Sequence, residues 1–73
     1  MKTRLYELRK EQNYNQLKVQ MDTGIHQSNL SKLERGDREP TYEHLKILSK
    51  YYNTSADYIM GLTDIKEPYP RKI

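Results

Sequence analysis

A chain of 73 residues without Cys, Trp or Phe has room for one domain, and it can hold no disulfide framework, thiolate metal site or thiol nucleophile. No apolar run approaches the ~18 residues that cross a bilayer, and Met1-Lys2-Thr3-Arg4 leads into no signal-peptide core. Thirteen basic against ten acidic residues give a net charge of +3, a modest basic excess that fits a polyanionic partner and argues against wholesale disorder.

The first helix is expected to be capped by Thr3 and to run to about Gln12, with Leu5 and Leu8 three apart on one face. Asn13 suits the left-handed position that ends a helix. Asn15 caps a second helix over residues 16–22, which Thr23-Gly24 ends, and a third spans residues 27–35 and stops at Gly36. Asp37-Arg38-Glu39-Pro40 reads as a loop. Thr41 then caps a fourth helix over residues 42–52, and Ser55 caps a last turn or two over residues 56–60, closed by Gly61. No stretch alternates as a strand does. From Leu62 the periodicity is lost, and Glu67-Pro68-Tyr69-Pro70 reads as a mobile or extended tail. The organisation expected is one domain over residues 1–62 and a flexible tail over residues 63–73.

Leu, Ile, Val and Phe make up only about 19% of the chain, so the core must be economical. Leu5, Leu8, Val19, Ile25, Leu30, Leu33, Leu45, Leu48, Ile59 and Leu62 are expected to point inward, with Tyr52 and Tyr58 adding ring area.

The stretch over residues 16–36, QLKVQMDTGIHQSNLSKLERG, carries the functional signal. Two short helices flank a turn at Gly24, and the second keeps a polar face of Gln27, Ser28, Ser31, Lys32 and Arg35 opposite Leu30 and Leu33. Gln offers a paired donor and acceptor, Lys donates to guanine, and Ser bonds base edges or phosphate, which is the chemistry of major-groove reading. An ordinary solvated helix face is the plainer alternative. His26 and His44 lie in separate segments without metal-ligand spacing, and no Ser, His and carboxylate set has the spacing of a catalytic site. No metal, cofactor or catalytic residue is therefore expected.

Arg9, Gln16, Gly24, Ile25, Gln27-Ser28, Leu30-Ser31-Lys32-Leu33-Glu34-Arg35-Gly36, Pro40 and the closing Ser55-Ala56-Asp57-Tyr58-Ile59-Met60-Gly61 stand in an order and spacing that resembles the XRE family of lambda-repressor-like DNA-binding domains. The resemblance implies an all-α fold, a five-helix domain whose second and third helices form a helix-turn-helix, followed by a short irregular tail. It also implies a sequence-specific transcriptional regulator, a repressor by preference, that reads the major groove with its third helix. By the same resemblance Gln27, Ser28 and Lys32 contact bases, while Gln16, Asn29, Arg35 and Arg38 contact the DNA backbone. Arg9 and Glu34 match a structural salt bridge. The implied partner is double-stranded DNA carrying an inverted repeat, bound by a weak homodimer that pairs through the region of Ile59, Met60, Leu62 and Ile65. The implied setting is cytoplasmic, bacterial or phage-encoded, at the nucleoid. A protein-binding module or antitoxin on the same fold is the alternative.

The departures from that pattern are specific. Gln20 stands where the family usually places a small residue, so either its amide bonds neighbouring backbone or the helix pair opens. Thr23 replaces an aliphatic residue. Leu17 and Met21 form an apolar pair on a face that is usually polar, expected to pack near Tyr14 or its neighbours, to meet a partner chain or the tail, or to stand as scattered surface apolarity. His26 replaces the usual Ser or Thr cap, leaving a weaker cap or a phosphate contact.

Overall fold

A computed structural model describes residues 2–68, and among these the chain forms five helices and no strand. They are α1 (Leu5–Glu11), α2 (Gln16–Thr23), α3 (Gln27–Arg35), α4 (Tyr42–Tyr51) and α5 (Ala56–Ile59).

Local chemistry sets most of the boundaries. Asn15 Oδ1 accepts from the Lys18 amide at 2.8 Å to start α2, and Ser55 Oγ accepts from the Tyr58 amide at 3.0 Å to start α5. Thr41 and His44 form a reciprocal capping box at the start of α4, with Thr41 Oγ1 accepting from the His44 amide and His44 Nδ1 accepting from the Thr41 amide, each at 3.2 Å. Asn13 takes the expected left-handed backbone, φ 58°, and Asn53 does the same after α4, φ 53°. Gly24 sits at φ 79° in the turn between α2 and α3, a conformation that carries a steric penalty for any residue with a Cβ.

The expected first cap needs correcting. Arg4, not Thr3, is the flanking residue of α1, and its side chain makes no cap bond. The buried Thr3 hydroxyl accepts from the Leu5 amide at 3.3 Å and donates to the Leu33 carbonyl at 3.1 Å, so Thr3 fastens the chain start to the end of α3. Helix α2 runs one residue further than expected. The Thr23 hydroxyl donates to the Val19 carbonyl at 2.7 Å and accepts from the Ile25 amide at 3.2 Å, serving the backbone where an aliphatic residue would only fill space.

The core holds Leu5, Leu8, Val19, Ile25, Leu30, Leu33, Leu48, Tyr52 and Ile59, flanked by half-buried Tyr14, Leu45, Ile47, Tyr51 and Tyr58. Two expectations fail here. Leu62 is 70% exposed, because Gly61 (φ 77°) turns the chain outward, so it is no core residue. Ile59 is fully buried and offers nothing to a dimer surface, while Leu62 and Ile65 lie open.

Residues 63–68 carry no helix but lie against the body. Arg4 donates to the Thr63 carbonyl and to Asp64, each at 2.8 Å, the fully buried Thr54 hydroxyl donates to the Lys66 carbonyl, and Lys66 pairs with Glu11. The rest of the expected 63–73 tail, residues 69–73, lies outside the described residues. No helix among the described residues is long and apolar enough to cross a membrane.

Candidate nucleic-acid interface

At about 100° per residue, Gln27, Ser28, Ser31, Lys32 and Arg35 fall within roughly 140° of the α3 circumference. Gln27, Ser28, Lys32 and Arg35 are exposed and Ser31 is half-buried, while Leu30, Leu33 and Glu34 face inward. This single polar face is held from behind at three levels.

At its far end, the Arg9 guanidinium donates to both oxygens of Glu34, at 2.7 and 3.0 Å, and Gln16 Nε2 donates to the same carboxylate at 3.2 Å. Arg9 also donates to the Tyr14 carbonyl at 3.0 Å, so one side chain connects α1, the following turn and α3. Hydrogen bonding to Glu34 raises the Arg9 pKa above its ordinary value, with partial burial opposing it. Gln16 therefore has one amide group on Glu34 and sits half-buried at the start of α2.

At its near end, Ser28 is bound to His26 twice. Nδ1 of His26 accepts from the Ser28 amide at 3.1 Å and lies 2.9 Å from the Ser28 hydroxyl. An imidazole thus does the work of a Ser or Thr cap, with the Nδ1 lone pair as acceptor. The third tie comes from Gln20, whose Oε1 accepts from the Gln27 amide at 2.7 Å. Of the two expectations for Gln20, the bond to neighbouring backbone is what occurs.

The cations divide into two groups. The exposed Lys32 ammonium makes no hydrogen bond or ion pair among the described residues. Arg35 is engaged by Asp37 at 2.8 Å and by the Ser31 hydroxyl at 2.6 Å, and Arg38 donates to Asn29 Oδ1 at 3.1 Å. The latter contacts are exposed, so they bias side-chain direction more than they stabilise the fold. Lys2, Tyr6, Gln16, Ser31, Arg35 and Asp37 line an open groove between α1 and α3 beside this face. Among the described residues no cluster of three or more acidic or His side chains has the geometry for a metal ion.

Leu17 and Met21 are 54% and 76% exposed and stand outside the core. Tyr14 stacks at a tilt on Tyr51, ring centroids 5.9 Å apart, and meets the Lys18 ammonium at 4.8 Å. Asp22 completes the same cluster, accepting from Lys18 at 2.9 Å and from the Tyr51 hydroxyl at 2.5 Å. The tie from Thr3 to the Leu33 carbonyl carries no signal in the sequence, whereas the backbone bond of Gln20 is one of the two outcomes its small-residue position raises.

Residues 5–59 match the family profile described as helix-turn-helix. Two curated proteins of Bacillus subtilis (strain 168) are similar. One is an uncharacterized HTH-type transcriptional regulator, YobD, 35% identical over 65 residues that cover 89% of this chain and 58% of that protein. The other is the HTH-type transcriptional regulator ImmR, 36% identical over 64 residues that cover 88% of this chain and 50% of that protein. The chain therefore spans about half the length of these relatives. No solved structure gives a significant match.

Proposed function

The chain belongs to the lambda-repressor-like helix-turn-helix family, and from that membership we propose that it is a DNA-binding transcriptional regulator that docks α3 in the major groove. The observation that carries this reading is the composition and bracing of one helix face. Gln27, Ser28 and Lys32 project from a helix whose inner side is tied to α1 and α2 by Glu34 and Gln20. Base reading needs side chains held in register by a rigid support, and this face has one. Gln16, Asn29, Arg35 and Arg38 are assigned to the DNA backbone, where they fix register without reading sequence.

The finer reading is a repressor that binds an inverted repeat as a weak dimer, with half-sites about 34–36 Å apart. The surface for such pairing is narrower than the sequence suggests, reduced to Leu62 and Ile65 with half-buried Met60. The setting for this activity is the bacterial cytoplasm at the nucleoid.

Fluorescence anisotropy with the DNA upstream of its own gene and with random DNA, at two salt concentrations, tests the proposal. Preference for the upstream DNA supports it. Equal binding of both, or no binding at low salt, rejects it. Roughly 3–5 phosphate contacts per monomer correspond to a slope of about −0.9 per contact in log affinity against log salt. Light scattering across concentration tests the dimer, and a strictly monomeric complex on DNA removes the two-fold arrangement.

A second reading, a protein-binding module or antitoxin, is favoured by one observation, the exposed pair Leu17 and Met21. Polar substitution of both residues separates the two readings, since it leaves DNA binding unchanged and removes only a protein contact.

A further inference from the structure

The bond between Gln20 and the Gln27 amide has a consequence for reading DNA, not only for folding. The first amides of a helix have no partner within the helix. In α3 the Ser28 amide is taken by His26. The Gln27 amide is taken across the turn by Gln20, from seven residues away and from a different helix. At 2.7 Å this is a short bond, and it couples the side of α2 to the first residue of the polar face.

We propose that Gln20 is a positioning and specificity-determining residue, whose carboxamide locks the entry of α3 so that Gln27 and Ser28 present their side chains in one orientation to base edges. The inference rests on the DNA-reading function proposed above and deepens it.

Three observations support the assignment. Gln20 is half-buried between α2 and α3, so its stem packs where a small residue would leave the two helices to meet directly. Among the described residues its Nε2 has no partner and is not sealed from solvent, so its Oε1 alone makes the link. The other end of α3 is held independently by Glu34 with Arg9 and Gln16. Loss of the Gln20 bond therefore frees the reading end of the helix while its far end stays anchored.

The test compares the wild type with Gln20→Met and Gln20→Glu. Met keeps the length and bulk of the side chain and removes the acceptor. Glu keeps an acceptor and adds a charge that weakens binding to every DNA alike. Each protein is titrated against a short duplex enriched from a random pool and against a scrambled duplex, and the ratio of the two affinities is read, because general charge repulsion cancels in it. Amide hydrogen exchange at Gln27 is measured on the free proteins. Gln20→Met is expected to lower the ratio about tenfold, the scale of one base contact, and to leave scrambled-duplex binding within about twofold. It also speeds exchange at Gln27, and Gln20→Glu restores both the ratio and the protection.

An unchanged ratio in Gln20→Met, or failure of Gln20→Glu to rescue it, overturns the proposal. So does unchanged protection at Gln27. If the wild type itself does not discriminate between the duplexes, it is the DNA-reading function that fails, and the lock is then judged on Gln27 exchange alone.

Discussion

The Arg9 guanidinium and the Glu34 carboxylate meet in two parallel bonds, both residues more than nine-tenths withdrawn from solvent. The pair lies at the edge of the polar face of α3, where it lines the groove against α1, and Gln16 shares its carboxylate. Breaking such a pair leaves one desolvated charge without its partner. Glu34→Ala is expected to destabilise the domain by about 3 kcal/mol, the lower end for buried pairs because the adjoining groove admits water. Urea unfolding measures this, and a loss under about 0.5 kcal/mol, the size of an exposed pair, would show that the bridge is not structural.

His44 makes stability depend on pH. Burial, with Arg38 adding to it, holds the His44 pKa below its ordinary value of 6.5. Folding therefore favours the neutral ring, the form whose Nδ1 accepts from Thr41 in the capping box. The contribution is complete above about pH 6.5 and is lost as pH falls through the lower folded-state value. His44→Gln retains a box-forming residue and abolishes the titration. The wild type should lose more stability than this variant between about pH 7.5 and 5.5, as read by urea midpoints; parallel losses would refute the linkage.

Asp37 holds Arg35 in an ion pair that a phosphate contact of the kind proposed would have to displace. Asp37→Asn removes the 2.8 Å ion pair and an acidic charge beside the end of α3. Affinity for DNA should rise about two- to fivefold at low salt and the salt dependence should steepen by up to about one contact. Arg35→Ala should move both quantities the other way. Anisotropy titrations at two salt concentrations decide the matter, and no change in either variant would place Arg35 away from the backbone.

Tyr51 sets the behaviour of Asp22. Its hydroxyl bond, and then that of Lys18, holds the Asp22 carboxyl below its ordinary pKa. Tyr51→Phe should move that value upward, toward the ordinary carboxylate range, in an NMR titration of the carboxyl carbon. The ionised carboxylate is the form that links α2 to α4, so the contribution is present above the ordinary carboxylate pKa and fades as pH falls through the lowered one.

Lys32, whose ammonium has no partner among the described residues, distinguishes base from backbone contact under the proposed function. Lys32→Ala should cost about 1–3 kcal/mol on the preferred duplex and relax preference at a single base pair. Equal loss on all sequences in the same titration would make Lys32 a phosphate contact.

Local chemistry made most of this arrangement legible in advance. Asn15, Thr41 and Ser55 cap helices because short polar side chains reach their own backbone, and Asn13 and Gly24 end them because they tolerate positive φ. The polar face of α3 follows from helical spacing alone. Reach across the fold is a different matter. Thr3 reads as a helix cap but spends its hydroxyl proton on Leu33, thirty residues away, and Gln20 finds the Gln27 amide only once the turn has formed. Leu62 reads as core by residue type, yet the positive φ of Gly61 turns it out. In each case the partner is chosen by tertiary geometry, which residue type does not encode.

The contacts from Arg4 to Thr63 and Asp64 join positions about sixty residues apart, whereas the helix-turn-helix is built from neighbours. Closing a loop of that length carries an entropy cost that only an already compact chain can offset. The latch should therefore form last and open first, leaving the reading helix assembled while the N-terminal and C-terminal segments breathe together. In hydrogen exchange these segments would form the least protected cooperative unit, and the α2–α3 pair the most protected.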